Sequence, residues 1–136
     1  MTLDQARGQI AFAPRVPSYL GPPMGVEVSA DRQMLSLTWS GRGTGVIRLD
    51  EFNGTLHPYF WKTVHDEVES VTVRSRDGLW FRSAHEVVVL DSRGTSRRLP
   101  PRIAGPTLVW DLDGTALRLE GATSLSEALS IGSSIS

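Results

Sequence analysis

The segment TLVWDLDGTALRLE, residues 107–120, has the pattern of a β-hairpin. Two runs of alternating apolar and polar residues flank Asp113-Gly114, a dipeptide that tolerates the positive φ angles of a two-residue turn. Because successive side chains of a strand point to opposite faces, one face of the first run carries a set of large apolar residues. These residues are Leu108, Trp110 and Leu112. We therefore expect two antiparallel strands with an apolar face against a core.

The same period of two recurs upstream of this hairpin. The runs that show it are residues 26–28, 35–40, 47–50, 71–74, 79–82, 87–90 and 95–99. We predict hairpin turns at Asp77-Gly78 and Arg93-Gly94, and we predict that Asn53-Gly54 ends the strand at 47–50. Alternation gives each strand one buried and one wet face. Since short turns join the strands without helical crossovers, an antiparallel sheet is favoured.

Both ends of the chain carry helix signals. Thr2 with Gln5 and Ser124 with Glu127 have the spacing of a capping box, which predicts helices over residues 3–10 and from 125 onward. An apolar stripe at helical spacing follows the second box. The predicted fold class is α+β, an antiparallel β-sheet meander with N-terminal and C-terminal helices packed on it. Residues 1–136 are predicted to form a single domain.

Composition excludes several classes of function. The chain has 14 Lys+Arg against 15 Asp+Glu and no clustered basic stretch, so we expect neither a nucleic-acid partner nor a membrane-surface partner. Without cysteine there is no disulfide, thiolate nucleophile or cysteine metal site. No apolar run approaches the roughly 18 residues of a membrane span, so we expect no direct membrane insertion by this segment.

Residues 108–115 resemble motif I of the haloacid-dehalogenase-like phosphatases, an apolar strand that runs into Asp-x-Asp-Gly-Thr. The resemblance implies Asp111 as nucleophile and Asp113 as general acid beside magnesium. Only 21 residues follow Thr115, however, and they contain no lysine or aspartate to supply the family's later motifs. The upstream pattern of hairpins also differs from that family's parallel sheet. We interpret Asp111 as the solvent-facing residue of a buried strand and keep a magnesium-dependent phosphatase as an alternative function.

Other catalytic and metal-binding patterns are weak. The histidines are His57, His65 and His85, and the acidic residues considered with them are Asp66, Glu67 and Glu86. Their separations match no recognised ligand spacing on one helix or hairpin. No Gly-x-Ser-x-Gly elbow is present, and the glycines of residues 41–45 indicate a flexible hairpin loop, since a strand follows them. We expect no catalytic residue, no metal site and no cofactor.

One dense aromatic group follows the strand at 47–50. Its members are Phe52, His57, Tyr59, Phe60 and Trp61. Such clusters are more commonly buried, as a segment that covers the core. The alternative is that the cluster is exposed and forms a binding patch. The candidate ligand-binding residues are His57, Tyr59, Phe60 and Trp61.

Five segments together carry a wider resemblance. They are RVPSYLGPP at 15–23, FNGTL at 52–56, an aromatic turn at 58–62, LVWDLDGTALRLEG at 108–121 and LSEAL at 125–129. In this order, after an initial helix, they resemble a family of extracytoplasmic domains found in actinobacterial membrane proteins and at the outer end of many anti-sigma factors. The family's function is unknown, and the position of Asp111 is a variable polar one in its pattern.

The resemblance implies a noncatalytic sensory or interaction domain that binds a protein or cell-envelope ligand. It also implies an extracytoplasmic location, with the membrane anchor and the sigma-binding region elsewhere in a parent chain. If this segment is the complete protein, a cytoplasmic location is expected instead. A structural domain whose open sheet edge pairs with a second copy is a further alternative.

Overall fold

The computed structural model describes residues 1–40, 45–63 and 68–135, without the side chains of Lys62 and Thr63. In these ranges, nine antiparallel strands and three short helices confirm the predicted α+β class with helices at both ends. The elements are α1 Leu3–Arg7, β1 Gly25–Val28, β2 Met34–Ser40, β3 Val46–Leu56, α2 Pro58–Thr63, β4 Val68–Val73, β5 Arg76–Phe81, β6 Val87–Asp91, β7 Ser96–Leu99, β8 Thr107–Leu112, β9 Thr115–Glu120 and α3 Leu125–Ser133.

The strands run side by side in the order β1-β2-β3-β9-β8-β5-β4. The β8–β9 hairpin therefore lies between strands that are far from it in sequence. The β6–β7 hairpin stands off this path and pairs with the last three residues of β3, Gly54 to Leu56. As a result, β3 is shared by the main sheet and by a second, smaller ladder.

Apolar layers cover both faces of the sheet. The helix face carries α1 and α3 and is built on residues such as Leu49, Trp110, Leu119 and Ile131. The opposite face carries α2 and the β6–β7 hairpin, packed on residues such as Phe52, Phe81, Val89 and Val109. Alternation along β8 follows this division, because Leu108 and Trp110 face the helices and Val109 faces the second layer.

Two of the predicted turns are confirmed and one is wrong. Asp113-Gly114 joins β8 to β9 with φ of 48° and 82°, and Gly94 has a positive φ in the β6–β7 turn. Asp77-Gly78 lies inside β5, because Val73 pairs with Arg76 and the turn is Arg74-Ser75, with φ of 48° and 70°. This register directs Trp80 to the helix face and Phe81 to the second layer, and a slip by one residue would exchange them.

The prediction that Asn53-Gly54 ends a strand is also wrong, since β3 continues to Leu56. At Gly54 the strand leaves β9 and meets β6. The Gly54 amide donates to the carbonyl of Gly114 at 3.0 Å. A Cβ atom at this position would collide with the carbonyl oxygen of Leu90, so the close approach of two strands requires glycine here.

The helix ends follow the predicted caps closely. The reciprocal bonds of Thr2 and Gln5 are present, although α1 ends at Arg7 and not at residue 10. At α3 the Glu127 amide donates to Ser124 Oγ at 3.1 Å, whereas the Glu127 carboxylate accepts from the amide of Thr123 and not from that of Ser124. The predicted turn after Pro58 is α2. Of the predicted glycine loop at 41–45, residues 41–44 lie outside the described residues.

A charged network is buried on the face of β3 and β9 that the alternation predicts to be wet. Arg118 and Asp50 are 2% and 1% exposed, and Arg118 Nη2 donates to Asp50 Oδ2 at 2.7 Å. Arg118 Nη1 donates to the carbonyls of Leu99 and Pro100 at 2.7 and 3.0 Å. The prediction is wrong here because the connection from β7 to β8 covers this face.

Glu120 completes the attachment of that connection. Its carboxylate is buried, and Oε2 accepts from the amides of Arg102 and Ile103 at 3.2 and 2.9 Å. Its Oε1 lies 3.4 Å from Arg118 Nε. The connection is therefore held to the sheet through its backbone, by charged groups of β9.

Asp50→Ala should lower the free energy of unfolding by about 3–5 kcal/mol, because it removes the closer of the two carboxylates that balance the buried Arg118 guanidinium. A double-mutant cycle with Arg118→Met should give a coupling energy above about 1 kcal/mol by urea unfolding. The control cycle uses Arg98 and Glu86, a more exposed pair at 3.5 Å, and should give less than about 1 kcal/mol. Equal coupling in the two cycles would contradict the role of this network.

Candidate functional site

The aromatic residues after β3 lie on and before α2. Pro58 opens this helix, where its missing amide hydrogen and fixed φ are favourable. Tyr59 is 69% exposed, and its ring stacks on that of His57 with 5.4 Å between centroids. The Tyr59 amide donates to His57 Nδ1 at 3.1 Å. A large, amphipathic ring is thus held at the surface by its neighbour.

Phe60 points away from this surface, and Trp61 is only partly exposed. Phe60 is 5% exposed and belongs to the second layer, with its ring 6.0 Å from that of Phe81. Trp61 is partly buried against the same layer. Successive residues of a helix are rotated by about 100°, so neighbouring aromatic residues cannot all face solvent. Phe60 therefore belongs to the core and Tyr59 to an exposed patch. We define the aromatic surface as His57, Tyr59 and Trp61.

His85 lies beside the foundation of this surface. Its ring stacks on Phe81 at 4.2 Å and meets the edge of Phe60 at 6.0 Å. The amide of His57 donates to the carbonyl of Val88 at 2.9 Å, which fixes the start of α2 on β6. No local pattern in the sequence indicates the position of His85, because this contact depends on the pairing of β6 with β3.

The described residues include no group of three or more histidine or acidic side chains placed to hold a metal ion. Of the histidines, His57 and His85 lie at the second layer, and His65 is outside the described residues, as are Asp66 and Glu67. The expectation of no metal site stays a prediction.

The two aspartates of the phosphatase-like motif have separate partners. Asp111 Oδ1 accepts from the amide of Leu56 at 2.9 Å, and burial raises the pKa of Asp111 to about 6. Asp113 accepts from Arg76 Nη2 at 2.8 Å and lies 3.9 Å from Arg15 Nη2. Asp111 thus holds the end of β3, whereas Asp113 contacts two arginines at the β8–β9 turn.

The expectation that Asp111 faces solvent is wrong. The side chain is half-buried, since the end of β3 crosses over this face of β8 on its way to pair with β6. The interpretation of Asp111 as a structural residue is compatible with its bond to Leu56.

Glu51 is a functional candidate that the sequence analysis missed. Its carboxyl is fully buried on the helix face and accepts from the amide of Arg15 at 2.7 Å. Burial raises the pKa of Glu51 to about 8, and the bond from Arg15 only partly opposes this rise. Glu51 follows Ile47 and Leu49 at the same spacing of two residues, so it lies on the same face of β3. This spacing alone could have predicted that Glu51 is buried.

Comparisons of this chain with protein families, curated proteins and solved structures give no match. In the described parts of the chain, no helix has the length and apolar character needed to cross a membrane.

Glu51→Gln should flatten the dependence of stability on pH. The folded state holds a proton on Glu51 that the unfolded chain loses above its ordinary pKa of 4.5, so stability falls as pH rises from about 4.5 to about 8. The raised pKa of Asp111 also makes stability fall as pH rises, but only up to about pH 6. Between pH 6 and 8 the wild type should lose up to about 1.4 kcal/mol per pH unit more than the variant in urea unfolding.

The matched control is Glu69→Gln, at an exposed position of β4. This variant should keep the wild-type slope. Parallel curves for Glu51→Gln and the wild type would show that Glu51 does not hold its proton in the folded state.

Proposed function

We propose that the chain is a noncatalytic interaction domain, held outside the membrane by an anti-sigma-factor-like parent protein, that binds a protein or cell-envelope ligand. The observation that carries this proposal is the exposed Tyr59 ring held against His57. Tyrosine offers a large apolar area and a hydroxyl with few rotatable bonds, so it is enriched among the residues that dominate binding energy.

The support beneath this ring favours a binding surface. Phe60 anchors α2 in the second layer while Tyr59 projects outward one residue earlier. The helix therefore has little freedom to rearrange when a partner arrives, and a preorganised surface loses less entropy on binding. Trp61 extends the surface with a partly buried ring.

The use of the charged residues favours binding over catalysis. Asp50, Glu120 and Asp113 each hold an arginine or backbone amides in place. A general acid or base needs a carboxyl that can reach a substrate proton.

The family resemblance supports the extracytoplasmic part of the proposal. Its motif residues include core positions such as Leu108 and Trp110, and the network residues Arg118 and Glu120. Core and turn positions determine a fold, so a motif made of them is expected among domains that share one fold.

Tyr59→Ala should weaken binding to the physiological partner by at least about tenfold, as expected for a central aromatic contact. A photo-crosslinking residue at position 59 of the parent protein, expressed in its own cells, identifies the partner. The purified partner is then titrated by calorimetry against the wild type and the variant. Cell-wall fragments are tested in parallel by co-sedimentation.

Tyr19→Ala provides the matched control. Tyr19 is the chain's other tyrosine, is also exposed, and lies on the helix face beside the end of α3. It should bind as the wild type does, and both variants should unfold at nearly the wild-type temperature. Equal affinity of the Tyr59 and Tyr19 variants would contradict the proposed surface.

Self-association through a sheet edge is a second candidate. Strand β1 pairs only with β2 among the described strands, and Met24 beside it is 74% exposed. An open edge next to an apolar side chain can pair with a second copy. Sedimentation velocity up to millimolar concentration should then show dimers that Met24→Lys abolishes. A monomer at every concentration would eliminate this candidate.

A further inference from the structure

A cavity of about 290 Å³ opens on the helix face, between the β4–β5 turn, β8 and the end of α3. Its floor is apolar and its rim carries two guanidinium groups. The floor consists of Val73, Trp110, Leu112 and Ile135, and the rim of Arg74 and Arg76. The aromatic surface lies with the opposite layer, so this cavity is a separate site.

The turn between β4 and β5 positions the rim. Arg74 is the first residue of this two-residue turn, and its Nη1 donates to the carbonyl of Ile135 at 3.3 Å. Arg76 Nη2 donates to Asp113 Oδ1 at 2.8 Å. Each guanidinium has five N–H donors in a planar fork, so these bonds leave donors for a ligand.

The charges around the rim do not balance. Arg74 and Arg76 contribute two positive charges, whereas Asp113, which accepts from Arg76, contributes one negative charge. The surplus of positive charge beside an apolar floor favours an anionic group with an apolar body.

We propose that this cavity binds a small amphiphilic carboxylate, with its carboxylate on Arg74 and its apolar body over Trp110 and Ile135. A carboxylate suits the planar fork of arginine, which can bind both oxygens. At about 30 Å³ for each water in the liquid, the cavity has room for about ten heavy atoms. A ligand without an apolar body would leave the floor hydrated, and a cationic one would meet the rim's positive charge.

Octanoate is the probe, and 1-octanol and octylamine are its matched controls with the same alkyl chain. Each is titrated into the ¹⁵N-labelled protein, and shifts are followed at the Trp110 indole and at the amides of Arg74 and Ile135. Octanoate should bind with one-to-one saturation, at least tenfold more tightly than octylamine. The shifts should be confined to the residues of the cavity.

Three variants test the contact with the rim. Arg74→Gln should weaken octanoate binding about tenfold, the loss expected for a hydrogen bond between charged groups, and leave octanol binding unchanged. Arg74→Glu should reverse the preference in favour of octylamine. Arg98→Gln, at an exposed position of β7, should bind octanoate as the wild type does.

Arg74 is exposed in a turn, so its substitution should leave the fold intact, and the remaining amide resonances report this directly. Equal affinity for the three probes would overturn the proposal, as would wild-type octanoate binding by Arg74→Gln. Shifts located at a second groove, between α1 and β1 and lined by Leu3 and Val26, would overturn it too. Absence of saturation up to 10 mM octanoate would do the same. None of these outcomes depends on Tyr59, so the cavity and the aromatic surface are tested separately.

Discussion

The guanidinium group of Arg118 lies between the centre of the sheet and the connection from β7 to β8, and Asp50 balances its charge at 2.7 Å. Because this pair is removed from water, its desolvation has to be offset by bonds on every side, which the carbonyls of Leu99 and Pro100 help to supply. The connection is thereby fixed, and with it the point at which the chain enters β8. The β8–β9 hairpin, which separates β3 from β5, depends on this arrangement.

Local chemistry in the sequence predicts local structure well in this protein. Asp113-Gly114 and the Thr2 cap are correct because each depends on backbone bonds within a few residues. Asp77-Gly78 failed because two residues without special turn character, Arg74 and Ser75, adopt positive φ to satisfy the register of β4 and β5. The burial of Arg118 could not be predicted either, since the connection from β7 to β8, which covers it, has no regular sequence pattern.

The candidate site was predictable in composition but not in orientation. The density of aromatic residues at 57–61 draws attention to α2, yet only the helix geometry separates the outward Tyr59 from the inward Phe60. The cavity beneath Arg74 is harder to foresee, because β4, β8 and α3 meet there through pairings between distant parts of the chain. The surplus of positive charge at the rim is likewise a property of proximity in space, and the chain as a whole is nearly neutral.

Strands β3 and β9 lie at the centre with layers on both faces, and every residue of β9 is buried. In β3 the same holds for the run from Leu49 to Phe52, where one side chain meets each layer in turn. A strand with two covered faces has no position at which substitutions can accumulate without consequence. Substitutions should therefore be tolerated best in the turns, the outer strands and the surface of the helices. Tyr59 and Arg74 lie in such regions, so the side chains at these two positions can change while the centre of the sheet stays intact.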